Sequence, residues 1–433
     1  MSFLKDLSKR GLIQQVTDFD KADKVMAEPG RVGFIGFDPT ADSLHVGSLL
    51  QLTLIARLAL HGHKPLVLLG EATGMVGDPS GKSSERNLQT TSGILDHTRK
   101  IRTQIQTIMD NMGDATESSI PFRFVNNWDW LAELNLLTFL RETGKHFSVN
   151  AMMQRDSVKS RLETREQGIS FTEFAYMLLQ ARDFQELHLR ENCQFQIGGS
   201  DQWGNIVSGI DLIAREEVEV EIPVFGLTVP LMMHKNGHKF GKTETGTIWL
   251  DPQKTSPFQF FQFWLNLADD EAVKLLRMLS LQLSVEEILA LEAAAKEEPA
   301  KRIVQKTLAA EMTWFVHGNL AMQRAAVVSN LLFGELPPDS FSPAVFRMLI
   351  GEIPTFSVNR NATVSDLLVG MTRPFTSRSE LKNALKGPNP SVMINREHVR
   401  LEGLAEPATQ CHNRFALVRF GKKFFLACFD LDM

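Results

Sequence analysis

The stretch Arg31-Val-Gly-Phe-Ile-Gly-Phe-Asp-Pro39 is an apolar run that ends in a turn signal, and it indicates a buried strand. Residues 44–60 show the apolar spacing of a helix, and Lys64-Pro-Leu-Val-Leu-Leu-Gly70 is typical of a second buried strand. The order strand, helix, strand predicts a parallel α/β unit. Ligands of such sheets bind beyond the carboxyl ends of the strands, where residues 38–40 and 71–82 follow.

Two short strings, one within this unit and one much later in the chain, suggest nucleotide chemistry. No GxGxxG fingerprint lies between the two strands, which counts against a dinucleotide-dependent dehydrogenase. His45-Val-Gly-Ser48 falls at the predicted start of the helix, where free backbone N–H groups favour an anion. Lys239-Phe-Gly-Lys-Thr243 follows the turn signal Asn236-Gly237, so its lysines would close on a pyrophosphate from a mobile loop. Taken singly, the first string also fits an ordinary helix start, and the second a solvated lysine face.

Composition limits the class of protein. The chain has 433 residues, 43% of them hydrophobic and 22% charged, which favours two or three globular domains. Its start alternates charged and apolar residues, and its most apolar stretch, residues 49–60, contains polar ones, so we expect a cytoplasmic protein without a membrane span. Cys193, Cys411 and Cys428 have no metal or disulfide spacing; we expect buried thiols and predict no metal ligands.

Charge is distributed unevenly along the chain. The net charge is −5, yet residues 360–433 carry eleven Lys and Arg against seven Asp and Glu. This asymmetry favours a polyanion-binding module near the carboxyl end.

Four motifs in one order identify a family. They are Gly36-Phe-Asp-Pro-Thr-Ala-Asp-Ser-Leu-His-Val-Gly47, Gly74-Met-Val-Gly-Asp-Pro-Ser-Gly-Lys82, Gln196-Ile-Gly-Gly-Ser-Asp-Gln-Trp-Gly-Asn205, and Lys239 to Thr243. Through them, over about residues 10–330, the chain resembles the bacterial tyrosyl-tRNA synthetases. The resemblance implies a class I enzyme, working as a homodimer, that uses ATP with Mg²⁺ to form tyrosyl adenylate from L-tyrosine and passes the tyrosyl group to tRNA(Tyr).

The same resemblance implies the domain order. We expect an α/β fold with a Rossmann-like parallel-sheet catalytic domain, then a helical domain and a small α+β S4-like C-terminal domain. The expected boundaries are 1–228 for the catalytic domain with a helical insertion at about 126–190, 229–255 for the mobile loop region, 256–335 for the helical anticodon-side domain, 336–362 for a linker and 363–433 for the S4-like RNA-binding domain.

The resemblance also implies residue roles. Contacts to ATP are expected from Asp38, Thr40, His45, Gly47, Ser48, Gly199 and Asp201. Charge on the phosphates is expected to be stabilised by Lys82, Arg86, Lys239, Lys242 and Thr243. The amino-acid pocket is expected to contain Phe34, Asp78, Tyr176, Gln180, Asp183, Gln196 and Gln202, and contacts to tRNA are expected from Arg378, Lys382 and Lys386. No side chain acts as a nucleophile in this scheme, so catalysis is positioning plus charge stabilisation.

One helical stretch carries the expected amino-acid specificity. Tyr176, Gln180 and Asp183 are spaced i, i+4 and i+7, which places them on one helix face. The spacing alone fits a solvent-facing polar stripe as well as a pocket wall. Under the resemblance, Tyr176, Gln180 and Asp78 receive the substrate ammonium, and Asp183 accepts a hydrogen bond from the phenol. An analogue without the hydroxyl would leave a buried Asp183 unpaired.

The chain departs from the family pattern at several positions. It contains one tyrosine, Tyr176, beside 29 phenylalanines, which fits synthesis during tyrosine scarcity, drift or sequence engineering alike. Phe34 stands where the family often has a tyrosine that touches the substrate hydroxyl, which predicts a modest loss of selectivity. Ser48 replaces the second histidine of the commoner motif, which predicts an adjusted affinity for ATP.

Two alternative functions stay open. Phe34 also fits a synthetase for a related aromatic amino acid. A non-catalytic tRNA-binding paralogue is the other alternative, but His45 and the phosphate lysines are all present in the sequence, which argues against it.

Overall fold

The computed structural model describes residues 2–80, 89–155, 158–159, 169–216, 223–233, 240–243, 246–386 and 391–429. Their contacts divide the chain into two compact units. The larger unit comprises Met1–Thr255 and Leu267–Val316, and the smaller comprises Ser256–Asn266 and His317–Met433.

The larger unit is built on a six-stranded sheet of order β1-β6-β5-β2-β3-β4. Its strands are β1 (Gln15–Val16), β2 (Val32–Phe37), β3 (Lys64–Leu69), β4 (Arg123–Asn126), β5 (Cys193–Gly199) and β6 (Phe225–Val229). All neighbours pair in parallel except β1, which pairs antiparallel with β6 at one edge. A separate two-stranded ladder joins β7 (Lys242–Thr243) to β8 (Gly246–Thr247).

The described α-helices surround these strands and continue into the smaller unit. In chain order they are α1 (Phe3–Lys9), α2 (Phe19–Met26), α3 (Leu49–Leu60), α4 (Glu71–Val76), α5 (Thr91–Thr116), α6 (Trp128–Leu131), α7 (Leu136–Thr138), α8 (Val149–Met153), α9 (Phe171–Glu191), α10 (Trp203–Glu216), α11 (Pro257–Leu265), α12 (Asp269–Leu279), α13 (Val285–Glu297), α14 (Ile303–His317), α15 (Asn319–Phe333), α16 (Pro343–Arg347), α17 (Val364–Leu368) and α18 (Arg378–Ala384).

The predicted strand, helix, strand unit is confirmed as β2, α3 and β3. The two strands pair in parallel from Val32 opposite Lys64 to Phe37 opposite Leu69. The helix between them is Leu-rich and buried along most of its length, as a helix covering a parallel sheet must be. The carboxyl ends of β2 and β3 therefore lie side by side, where ligands of such sheets bind.

Close packing between β2 and β5 explains one glycine. Gly33 lies opposite Phe195, and the Phe195 ring occupies the space that a Cβ at Gly33 would need. That ring is buried and stacks on Phe225 with centroids 5.1 Å apart. A residue larger than glycine would displace the ring.

A buried ion network joins α1 to α3. The carboxylate of Asp6 accepts hydrogen bonds from Arg10 Nε at 2.9 Å and from Arg57 at 3.0 Å. Arg57 also donates to the carbonyl of Ser280 at 2.6 Å, and the hydroxyl of Ser280 donates to Glu311 at 3.0 Å. The network therefore also reaches the residues around α12 and α14.

The smaller unit contains a second sheet of order β11-β10-β12-β13-β9. Its strands are β9 (Thr355–Val358), β10 (Val392–Ile394), β11 (Glu397–His398), β12 (Phe415–Phe420) and β13 (Lys423–Phe429). The helix predicted near residues 377–386 is confirmed as α18, which Ser377 caps by accepting from the N–H of Glu380. The strands predicted near residues 392–394 and 424–428 are confirmed as β10 and β13.

The compact units divide the expected helical domain. Within residues 256–335, α11 and α15 cluster with the C-terminal sheet, whereas α12, α13 and nearly all of α14 cluster with the larger sheet. Cys193, Cys411 and Cys428 are free and buried, as expected. Over the part of the chain that the structure describes, no helix is long and apolar enough to cross a membrane.

Candidate active site

The carboxyl ends of four parallel strands supply the polar groups of the site. Asp38 follows β2, and Thr73 lies in α4 directly after β3. Asn127 follows β4, and Asp201 follows β5 in a short 3₁₀ turn. The predicted position of the site, beyond the ends of the strands, therefore agrees with where these side chains lie.

Asp183 is a buried carboxylate with two donors. Its Oδ1 accepts from the indole Nε1 of Trp130 at 2.8 Å, and its Oδ2 accepts from Asn127 Nδ2 at 3.1 Å. Burial raises the pKa of Asp183 to about 8, although both hydrogen bonds act to lower this pKa. The helix face that carries Asp183 points inward, so the alternative of a solvent-facing stripe on α9 is wrong.

Charged side chains on α9 support the indole. The guanidinium of Arg190 lies over the Trp130 ring, 5.7 Å from its centroid. Glu186 accepts from Arg190 and from Arg182, both at 2.6 Å, and is itself largely buried. Trp130 therefore lies between Asp183, to which it donates a hydrogen bond, and Arg190, which is itself paired with Glu186.

Tyr176 joins α9 to the end of β2. Its hydroxyl donates to Asp38 Oδ2 at 2.8 Å, and Asp38 Oδ1 accepts from the hydroxyl of Thr73 at 2.8 Å. Burial and the nearby charge of Asp38 hold the pKa of Tyr176 well above its usual value, so the phenol stays protonated as a donor. Gly70 lies against this pair, because a Cβ at Gly70 would overlap the Asp38 carboxylate.

A chain of amides extends from Asp78 across the site. Gln202 Nε2 donates to Asp78 Oδ2 at 2.7 Å. Asn205 Nδ2 donates to Gln180 Oε1 at 2.9 Å and lies 3.3 Å from Gln202 Oε1. Nearby in sequence, the Oε1 atom of Gln196 is buried and has no hydrogen-bond partner among the described residues. An unsatisfied buried acceptor of this kind is complementary to a ligand donor.

The histidine string directly precedes α3, as a short 3₁₀ turn over Val46–Ser48 that His45 caps. His45 accepts from the N–H of Gly47 through Nδ1 at 3.0 Å and is solvent-exposed, whereas Ser48 is buried. Thr40 lies between Asp38 and this string in the sequence, and its carbonyl accepts a hydrogen bond from the side chain of Gln89. The tight turn at the helix start therefore presents an imidazole to solvent at the edge of the site.

The two distant strings lie side by side. The N–H of Val46 donates to the carbonyl of Ile248 at 2.9 Å, and Leu250 donates back to Leu44 at 2.9 Å. Gly241 has a positive φ of 87°, and a Cβ there would overlap the Val46 side chain. Residues slightly more than two hundred positions apart are thus joined by backbone hydrogen bonds, a few residues after the second string.

Of the remaining predicted site residues, the structure describes Phe34 and Gly199 with their surroundings. Phe34 is buried and its ring meets Phe184 edge-to-face with centroids 5.4 Å apart. Gly199 leaves no room for a Cβ, which would meet Leu231 at 2.8 Å and Asp201 at 2.9 Å. Lys82, Arg86 and Lys239 lie outside the described residues, and Lys242 and Thr243 are described only through the backbone of β7.

The predicted RNA contacts lie in the smaller unit. Arg378 and Lys382 are exposed on α18, and Lys386 is exposed two residues after it. Arg378 lies 3.6 Å from Asp366, and Lys386 donates to Asn383 at 3.0 Å. These cations share one exposed helix and its end.

Sequence reasoning missed Asn127 and Trp130. Both follow the strand β4, whose end in Asn126-Asn127-Trp128 was a usable signal, since polar residues after a parallel strand often reach the ligand. No group of three or more metal-ligating side chains occurs among the described residues.

Comparisons with known proteins identify one family. Residues 3–334 match the model of the family described as tRNA synthetases class I (W and Y). The chain is 42% identical over 432 residues to the tyrosine–tRNA ligase of Oceanobacillus iheyensis, covering 98% of both chains. It is 43% identical over 429 residues to the tyrosine–tRNA ligase of Geobacillus stearothermophilus, again covering 98% of both. A C-terminally truncated mitochondrial tyrosyl-tRNA synthetase of Aspergillus nidulans superposes with a TM-score of 0.69 at 31% identity, over 77% of this chain and 94% of the other.

Proposed function

The chain belongs to the class I tRNA synthetases of the W and Y group, and from this membership we propose that it is a tyrosine–tRNA ligase. It activates L-tyrosine with ATP and transfers the tyrosyl group to the 3′ end of tRNA(Tyr). The observation that carries the proposal is the buried carboxylate of Asp183, held by Asn127 and Trp130. Such a group is suited to accept a hydrogen bond from a phenol.

The amino-acid pocket follows from the same residues. Asp183 accepts a hydrogen bond from the substrate phenol. A substrate without that hydroxyl leaves the ionised carboxylate without this donor. Asp78 and Tyr176 receive the ammonium together with Gln180, while Gln202 lies beside the carboxylate and the unpartnered oxygen of Gln196 accepts from a donor of the substrate. Phe34 adds an aromatic wall without a donor, so Asp183 carries most of the discrimination.

The nucleotide binds at the strand ends beside α3. Asp38, Thr40 and Gly47 contact ATP, and the imidazole of His45 donates to the phosphate undergoing attack, with Ser48 beside it. Gly199 allows close approach, and Asp201 holds the ribose. The apposition of Gly241 and Val46 supports this assignment, because it brings the start of β7, with Lys242 and Thr243, to the histidine string.

Phosphate charge is neutralised by cations from two segments. We assign this role to Lys82 and Arg86 from one segment and to Lys239 and Lys242 from the other, as the family resemblance implies. Mg²⁺ enters with the phosphates of ATP, as the family resemblance implies. The protein therefore contributes positioning and charge stabilisation.

Aminoacylation of total tRNA with a mixture of amino acids tests the proposal directly. We expect tyrosine to be the amino acid esterified, with little phenylalanine. Predominant esterification of another aromatic amino acid would support the alternative of a related synthetase. The absence of any esterification or pyrophosphate exchange would support a non-catalytic RNA-binding protein.

A matched pair of variants tests the role of Asp183. Asp183→Asn removes the charge that accepts the phenol, and a hydrogen bond to a charged group contributes about 1.5–3 kcal/mol, so kcat/KM for tyrosine should fall about 10- to 150-fold above the pKa of about 8, where Asp183 is ionised. Asp211→Asn changes an exposed carboxylate on α10 and should leave kcat/KM unchanged. Equal effects of the two changes would remove Asp183 from the pocket.

We further propose that the enzyme is a homodimer. Between β4 and β5, the short helix α7 and the first residue of α9 expose large apolar side chains, namely Leu136 at 67%, Leu137 at 74% and Phe171 at 77% of full accessibility. Exposed apolar side chains grouped along one segment favour an interface, and a two-fold interface uses the same patch on both copies. Leu137→Asp should shift sedimentation to the monomer, whereas Leu289→Asp, at another exposed leucine, should not.

The smaller unit is proposed to bind tRNA through Arg378, Lys382 and Lys386. Lys382→Glu should weaken tRNA binding and lower the slope of log affinity against log salt by about one. Lys24→Glu, at an exposed lysine of α2, is the control. An unchanged salt slope for Lys382→Glu would place the RNA contacts elsewhere.

A further inference from the structure

A second cavity lies in the larger unit, and none of the proposed active-site residues lines it. Its volume is about 590 Å³, within the range of pockets that hold small molecules. The end of α1 forms one wall at Arg10 and Gly11, and α12, α13 and the first turn of α14 form the others.

The lining of this cavity combines charge with aliphatic surface. Its cationic side chains are Arg10, Lys274, Arg277, Lys296 and Arg302, and its acidic ones are Asp269, Asp270 and Glu292. Val273, Met278 and Val304 add apolar surface. Arg10 is already paired with Asp6, which leaves four cations against three carboxylates, so the lining keeps a positive balance and favours a ligand with negative charge.

Two of the arginines hold unused donors. The Nε atoms of Arg277 and Arg302 are buried and have no hydrogen-bond acceptor within the described ranges. One terminal nitrogen of each group is engaged, since Nη2 of Arg302 donates to the carbonyl of Leu267 at 2.8 Å and Nη2 of Arg277 lies 3.5 Å from Glu292. A buried donor without an acceptor is costly, so both guanidinium groups keep unmet hydrogen-bonding capacity, and an oxyanion beside them would compensate their charge.

The backbone at Arg302 is unusual as well. Arg302 has a φ of 49°, in the left-handed region that non-glycine residues rarely adopt. It ends the 3₁₀ turn Pro299–Lys301 and precedes α14. Strained conformations of this kind persist where the surroundings fix them and are concentrated at binding sites.

Arg10 forms a fixed wall of the cavity. Its guanidinium donates to Asp6 and to the carbonyls of Arg277, Ser280 and Leu283, at distances between 2.9 and 3.2 Å. These bonds hold the carboxyl end of α12 in place at Arg277. The cavity is therefore pre-organised, which lowers the cost of ordering it around a ligand.

We propose that this cavity binds a small organic anion, with a carboxylate or phosphate group attached to an apolar body. The oxygens pair with the guanidinium groups of Arg277 and Arg302, which line the cavity, and the body packs against Val273 and Met278. The three carboxylates on the same walls repel a polyanion, and the concave shape excludes a helical backbone, so RNA does not fit.

Methyl NMR of the full chain tests the proposal. With ¹³C-methyl methionine, the Met278 signal, assigned through Met278→Leu, reports on the cavity wall. Phenylacetate and phenyl phosphate are the two anionic probes, and benzylamine and benzyl alcohol are their cationic and neutral controls. Excess L-tyrosine is present throughout, so that probes do not occupy the proposed amino-acid pocket. We expect saturable shifts of the Met278 signal with at least one anion, and the tighter of the two identifies the preferred anionic group.

Three variants sharpen the test. Arg277→Met should weaken anion binding about tenfold or more, because it removes one of the two donors. Glu292→Gln should strengthen binding, since it removes a competing carboxylate. Arg324→Met, at an exposed arginine of α15, should change nothing. An equal response to benzylamine, no response to either anion, or unchanged affinity in Arg277→Met with native thermal unfolding would each overturn the proposal, as would a Met278 shift produced only by tRNA.

Discussion

Replacing Trp130 with phenylalanine isolates one hydrogen bond of the proposed tyrosine pocket. The indole Nε1 lies 2.8 Å from Asp183 Oδ1, and a phenyl ring keeps the aromatic surface beneath Arg190 while removing the donor. A hydrogen bond to a charged group contributes about 1.5–3 kcal/mol. Each 1.4 kcal/mol corresponds to a factor of about ten, so KM for tyrosine should rise about 10- to 150-fold. The value of kcat should change little, because the hydrogen bond of Trp130 within the described ranges goes to Asp183, on the proposed amino-acid side of the site.

The same substitution should move the pH dependence. Burial raises the pKa of Asp183 to about 8, and the donors Trp130 and Asn127 act in the opposite direction. Without the indole donor, this pKa rises further, and a smaller fraction of Asp183 is ionised at pH 8. If the ionised form accepts the phenol, kcat/KM for tyrosine increases as pH rises through the pKa, and this limb lies at higher pH in Trp130→Phe than in the wild type.

Pyrophosphate exchange between pH 6.5 and 9, at varied tyrosine concentration, measures both effects. Trp128→Phe is the control, because Trp128 is two residues away, partly exposed, and has no hydrogen bond to Asp183 among those described. Comparing variants at each pH cancels the ionisation of the substrate. If Trp130→Phe and Trp128→Phe give the same KM and the same pH profile, the proposed role of the indole is wrong.

Two further predictions concern stability. Asp6→Ala leaves Arg10 and Arg57 buried without their shared carboxylate, which should lower the free energy of unfolding by about 3–5 kcal/mol at pH 7 in urea titrations. Burial acts to raise the pKa of Asp6, but Arg57 and Arg10 outweigh it, and the pKa is lowered from 3.8. This stabilisation is therefore present above pH 4, and the free energies of unfolding of the wild type and Asp6→Ala should converge as pH falls further. A constant difference between the two down to pH 2 would contradict the ion pairs. Gly33→Ala forces a Cβ into the Phe195 ring and should cost about 1–3 kcal/mol. Its control, Gly36→Ala in the same strand, meets its nearest atom only at 3.9 Å and should be near neutral.

Much of the core could be predicted from local sequence. The apolar runs of β2 and β3 and the spacing of α3 are short-range signals, so the parallel unit followed from them directly. Spacing alone places Tyr176, Gln180 and Asp183 on one helix face. Whether that face is buried could not be predicted, because helical periodicity does not say what packs against a helix.

The partners of Asp183 lay beyond local reasoning. Asn127 and Trp130 approach it only because β4 pairs with β3 at the sheet edge opposite β1, and a strand of four residues gives a weak signal. The bonds between Val46 and Ile248 are similarly invisible, since they depend on pairing across some two hundred residues. Donor orientation and non-local backbone pairing are properties of the assembled fold.

Tyr176 is the sole tyrosine of the chain, and its hydroxyl is bound to Asp38 within the site. Biosynthetic incorporation of a ring-labelled or fluorinated tyrosine would therefore give a spectrum with a single resonance from the polypeptide. That resonance would come from the centre of the site, without mutagenesis or assignment, and occupancy could be followed through it in the wild-type enzyme.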